Sequence, residues 1–123
     1  MASGTIKQKS TSGTEGNWTW VRVGDIVICT ITISLTNVSI TKSANGEYTN
    51  TIDTGVHPPS VLKSVINTFA SVGTGTTTGE IRLNRAVLWG VDSSNTISVV
   101  LAANSSRTNV NYAVSFMAIG SAV

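Results

Sequence analysis

The stretch Asn111-Tyr-Ala-Val-Ser-Phe-Met-Ala-Ile-Gly120 decides the fold. It alternates with the period of two that a strand imposes, and it is apolar on both faces. Tyr112, Val114, Phe116 and Ala118 point one way, while Ala113, Met117 and Ile119 point the other. A strand in an antiparallel sandwich ordinarily buries one face and wets the other. Two apolar faces in a chain otherwise rich in Ser, Thr and Asn call for a second burial partner, most simply another copy of the chain. The strand therefore points to an assembly module and away from a free-standing enzyme.

Upstream of this strand the chain has the same grammar. Trp18-Thr-Trp-Val-Arg-Val23 alternates, Gly24-Asp25 marks a tight turn, and Ile26 to Leu35 is a long strand that Val38 to Ile40 continues past a bulge. Ala44-Asn-Gly-Glu47 is a second turn, because Asn-Gly supplies the positive φ of the primed types. Tyr48 to Ile52 alternates weakly, as an edge or surface strand does. His57-Pro-Pro59 cannot lie inside a paired strand, since two amide donors are missing.

From Val61 to Val72 the apolar spacing fits a helix face as well as a bulged strand, and the abundance of β-branched residues favours the strand. Gly73 to Gly79 is a flexible loop. Further strands are expected at Glu80 to Leu83, Ala86 to Val91, Thr96 to Ala103 and Val110 to Ile119. About eight short strands at this spacing imply an all-β fold, an antiparallel β-sandwich or jelly-roll-like domain. Apart from Met1, residues 1–16 hold Ile6 as their one large apolar side chain and are expected to be a tether or linker end, with the sandwich spanning 17–123.

The chain has 123 residues, enough for one core, and only 11% of them are charged. Its formal charge of +2 comes from scattered Lys and Arg, without the basic cluster that a nucleic-acid partner requires. No run approaches the ~18 apolar residues of a membrane helix, so no membrane partner is expected. The start lacks a basic region followed by an apolar stretch, which suggests synthesis in a cytoplasm without standard secretion. The one cysteine, Cys29, lies in an apolar run and suits a small core residue.

Catalysis finds little support in the sequence. Asp25 and Asp92 sit where turn carboxylates bond local amides, and Glu80 and Asp92 are not paired by any local pattern. His57 stands beside two prolines with no acid or thiol at ligand or triad spacing, and suits a solvated loop. Gly73 to Gly79 lacks the Gly-Lys-Ser/Thr ending of a phosphate loop. No cofactor and no metal are expected.

A binding arrangement follows if the chain reverses at Leu83-Asn-Arg-Ala86. Arg82 then faces Val87 and Glu80 faces Trp89, all on one side of a hairpin. An indole flanked by a guanidinium and a carboxylate suits a sugar, whose C–H face covers the ring while its hydroxyls bond the charges. If the strand runs straight through instead, Trp89 joins Ile81 and Leu83 in the core and the site is lost. Trp18 and Trp20 share a strand face, with Trp20 expected in the core or an interface and Trp18 the more exposed.

Gly16-Asn-Trp-Thr-Trp-Val-Arg22, followed by Gly24-Asp25 and a long apolar strand, resembles the opening of C-terminal domains in tail-fibre and receptor-binding proteins of phages that infect Gram-positive bacteria. Phe116-Met-Ala-Ile-Gly120 is similar to the aromatic-Ala-Ile-Gly strand that closes those domains. His57-Pro-Pro-Ser-Val-Leu-Lys-Ser-Val65 is similar to their Pro-rich entry into a central strand. The resemblance implies a homotrimeric β-sandwich head at a phage tail tip or baseplate, in contact with other tail or baseplate proteins and adsorbing to host cell-wall polysaccharide. More distantly, Glu80-Ile-Arg-Leu83 and Leu88-Trp-Gly90 resemble the saccharide-pocket strands of lactococcal-phage heads. Trp89-Gly90 matches that pattern, while Glu80 and Arg82 stand where the family has a His-x-Asp pair. The implied site is Trp89 as stacking platform, Arg82 and Glu80 as polar partners, and Asp92 as a rim acceptor. The alternative is a trimerisation cap whose neighbours perform the recognition.

Overall fold

The computed structural model describes residues 10–74, 76 and 81–123. Nine antiparallel strands form among them, and no helix: β1 (Ser10–Glu15), β2 (Trp18–Val23), β3 (Ile26–Ile40), β4 (Lys42–Ala44), β5 (Glu47–Asp53), β6 (Leu62–Val72), β7 (Arg82–Val87), β8 (Ser98–Ala103) and β9 (Arg107–Ala122). They make a five-stranded sheet in the order β1-β2-β3-β9-β6 and a four-stranded sheet in the order β4-β5-β8-β7. The inner faces of both sheets share one core, so the expected sandwich is present.

Turn chemistry fixes the hairpins. Gly24 has φ 58° and joins Val23 to its ladder partner Ile26, while Asn45 and Gly46 both take positive φ between Ala44 and Glu47. Strand β3 does run on past an irregularity, where Asn37 has φ 54° and the register against β9 shifts between Leu35 and Val38. The ambiguous segment is β6, a strand whose two register shifts against β9 account for its helix-like apolar spacing.

The long pair β3–β9 is the spine, with β6 on the far side of β9. Val27, Cys29, Ile31 and Ile33 alternate inward from β3 and meet the inward row Tyr112, Val114, Phe116 and Ala118 of β9. Val99, Leu101 and Ala103 face them from β8. Trp18 completes this core at 4% exposure, its ring edge-on to Phe116 at 6.3 Å and 79°. Its indole N–H donates to the His57 carbonyl at 2.8 Å. The expected roles of the two tryptophans are thus exchanged: Trp20 is only half-buried, over Gly13 of β1.

Not every expectation holds. Residues 10–15, taken as a linker end, form edge strand β1 through main-chain pairing with β2. Glu15 at its end accepts hydrogen bonds from the Ser60 amide and hydroxyl, tying the strand to the Pro-Pro loop. Strand β5, expected as an edge or surface strand, pairs with β4 only over Glu47 to Thr49, so Asn50 to Asp53 do lie at the sheet edge. Finally, the chain does not reverse at 83–86. Strand β7 runs through Asn84 and Arg85 along β8, and the surplus residue becomes a bulge between Leu83 and Arg85. Neither residue has the positive φ that a tight reversal requires.

Candidate functional site

Leu88 is buried, Trp89 is not. The indole is 77% exposed, in the loop that links β7 to β8. The expectation that a continuous strand would carry Trp89 into the core fails because β7 ends at Val87 and Leu88 takes the inward position.

The loop is braced at several points. Asp92 Oδ1 accepts from the Ser94 amide at 3.0 Å, from the Ser94 hydroxyl and from Asn95 Nδ2 at 2.8 Å. The Ser94 side chain is the main reason that the Asp92 carboxyl titrates below its usual range, with the local amides and Asn95 helping. Gly90 passes so close to Asn95 that an added Cβ would sit 2.9 Å from its Nδ2. The Asn95 carbonyl in turn lies 3.0 Å from His57 Nδ1, and the Ile97 amide donates to Val56 at 2.9 Å. With Leu88 and Ile97 buried at its two roots, this is an ordered loop that presents one aromatic ring to solvent.

Of the sequence-derived site residues, Trp89 and Asp92 share this loop. Arg82 does not join them. It begins β7, pairs with Ala102 across the ladder and bonds Asn104 Oδ1 at 2.9 Å. It also forms an ion pair with Glu47. The extended chain between Arg82 and Trp89 spans roughly 20 Å. Glu80 lies outside the described residues, as does most of the Gly73 to Gly79 loop. Sequence reasoning missed Asn95 and His57 as supports of the indole loop. Their only local signals were the Asp-Ser-Ser-Asn turn and the proline pair, and contact between the two loops is tertiary.

No family model matches the chain, and no curated protein matches it. A solved structure does: the R1 pyocin fibre of P. aeruginosa, a fragment of its C-terminal residues. The match has a TM-score of 0.55 at 15% identity and covers 91% of this chain. The two share a fold. The chain spans 28% of the length of that fibre fragment.

A second feature lies on the other side of the five-stranded sheet, which the four-stranded sheet does not cover. By strand parity Val21, Val23, Ile26 and Ile28 point there, and each is more than 40% exposed. Ladder pairing places Val21, Ile28 and Ile119 in one row, with Val23 beside Ile26 in the next. Ala113, on the same face of β9, is covered by its own chain: Gly73 lies against it, and its amide donates to Thr76 at 3.1 Å. Met117 and Ile119 remain half-exposed. Among the described residues no group of three or more His, Cys, Asp and Glu is placed to hold a metal.

Proposed function

We propose that this chain is a fibre-tip head without enzymatic activity, which binds cell-surface saccharide through the Trp89 loop and works as a homotrimer. The observation that carries the reading is the indole itself. An almost fully exposed tryptophan gains nothing from the core, yet its loop is held by buried residues at both roots and by the Asp92 network. Preorganised aromatic platforms of this kind suit the C–H faces of sugars. The polar partners of the ring are then the loop groups around Asp92 and Asn95, with Arg82 too far along β7 to touch the same sugar unit. A fold shared with a fibre fragment and the sequence resemblance to tail-fibre heads support the same assignment, including a virion tail as its place of work.

Self-association would use the apolar outer rows of the five-stranded sheet and so satisfy the second face of β9. A single weak site then gains from three copies acting together. The sequence resemblance favours a Gram-positive host, whereas the fold neighbour belongs to a Gram-negative organism, so the test includes both. Purified cell walls of Gram-positive bacteria and P. aeruginosa envelopes are incubated with the chain and with Trp89→Ala. The expected result is retention by Gram-positive walls, reduced at least tenfold in the variant. Retention unchanged by the substitution removes the Trp89 site. No retention on any surface favours the trimerisation cap, and soluble sugar released from the walls would establish an enzyme.

A further inference from the structure

The uncovered face of the five-stranded sheet changes character along its strands. Beyond the Val21–Ile28–Ile119 row, the next row runs Thr19, Thr30, Met117 and Phe69, and the one after it Thr32, Ser115 and Ser71. The small hydroxyl residues lie lower than Phe69 and Met117, and the β1–β2 turn brings Asn17 to one end. The result is a groove of about 550 Å³, within the roughly 300–1,000 Å³ range of small-molecule sites.

Three properties restrict its occupant. No described residue lining the groove is charged, so an anionic or cationic ligand would lose hydration without gaining a counter-charge. Its polar groups are hydroxyls and one carboxamide, each able to donate and accept, which matches a ligand bearing many hydroxyls. Phe69 is 51% exposed at its edge, an aromatic surface for an apolar C–H face. A purely apolar occupant would leave the row of Thr and Ser groups unpaired. We infer that this groove is a second ligand site, for an uncharged saccharide segment that stacks on Phe69 and bonds Thr30, Thr32, Ser71 and Ser115. It extends the reading of the chain as a saccharide-binding head but is independent of the Trp89 loop.

The test is amide NMR mapping on the full chain. The probes are neutral disaccharides of glucose, galactose, rhamnose and N-acetylglucosamine, with galacturonic acid and glycerol phosphate oligomers as anionic counterparts. Expected are shifts at Thr30, Phe69 and Ser115 with at least one neutral probe and none with the anionic ones. Phe69→Ala and Thr30→Val should each weaken that binding at least tenfold, while Trp89→Ala leaves it unchanged. Shifts confined to residues 89–95 would overturn the groove and keep the proposed function. No shift at either place counts against both. Groove signals that move with protein concentration and not with sugar would show it filled by a second copy.

Discussion

Cys29 illustrates how burial alone sets the chemistry of a residue. It is fully enclosed, and desolvation, helped by the nearby negative charge of Glu15, pushes its thiol from an ordinary 9.0 up to about 11. The thiolate is the reactive form, so native protein at pH 8 should not react with a disulfide reagent until it is unfolded, as absorbance of the released thiol would report. The raised value has a thermodynamic counterpart. Above pH 9 the unfolded chain loses its proton while the folded one retains it, so stability falls as pH rises towards 11. Two pKa units correspond to roughly 2.7 kcal/mol. Urea unfolding between pH 8 and 11 should show this decline, and Cys29→Ala should lack that part of it. Among the described residues Tyr112 is the other buried group with a shifted titration. Burial raises its phenol, and the Leu83 backbone only partly offsets the shift. No described group hydrogen-bonds the hydroxyl with good geometry, and an unsatisfied buried hydroxyl costs about 1–3 kcal/mol. Tyr112→Phe should therefore unfold at the same or a higher urea concentration, and a clear loss would reveal a partner for the hydroxyl.

At the scale of strands, local signals were legible where a period and a turn agreed. Alternation from Trp18 to Val23, Gly24 in its turn, Asn45-Gly46 and the two-faced closing strand are properties of neighbouring residues, and each is where its side chains imply. The continuity of β7 was not legible. Asn84 and Arg85 can form a loose turn or a bulge with similar local ease, and pairing with β8 decides between them. Strand β1 was also hidden, since it has no apolar row and is held by main-chain pairing and the Glu15–Ser60 bonds. Which tryptophan enters the core depends on where the Pro-Pro loop closes, and that loop offers its carbonyl to Trp18. Strand packing also explains the glycine that ends the closing motif. A Cβ on Gly120 would lie 1.8 Å from the Ser64 carbonyl oxygen, so β6 approaches β9 only because that position is bare. Gly120→Ala should force the strands apart at a cost of about 3 kcal/mol or more. Thermal unfolding should fall by roughly 10 °C. Gly55 also has positive φ, at 70°, but has open space around it, and Gly55→Ala should cost only about 1–2 kcal/mol.

For the whole molecule the unresolved demand is the outer face of the five-stranded sheet. Five of the nine large apolar residues that stand exposed among the described ones point there: Val21, Val23, Ile26, Ile28 and Phe69. Scattered singly they would need no explanation, but cross-strand pairing makes four of them contiguous with Ile119. If copies of the chain bury this patch, light scattering should give three times the mass of one chain, and the unfolding temperature should rise with protein concentration. Ile28 is central to the patch and already 41% exposed in the single chain, so Ile28→Lys adds a charge there without opening the core. That variant should have the mass of one chain and a concentration-independent unfolding temperature. Thr51→Lys, an exposed change on the four-stranded sheet, should leave both properties as they were. A wild-type chain that stays single at high concentration would show that the outer face of β9 tolerates water, and would remove the trimer and its multivalent gain together. Any saccharide bound at the proposed sites would then be held by one copy, without help from neighbours.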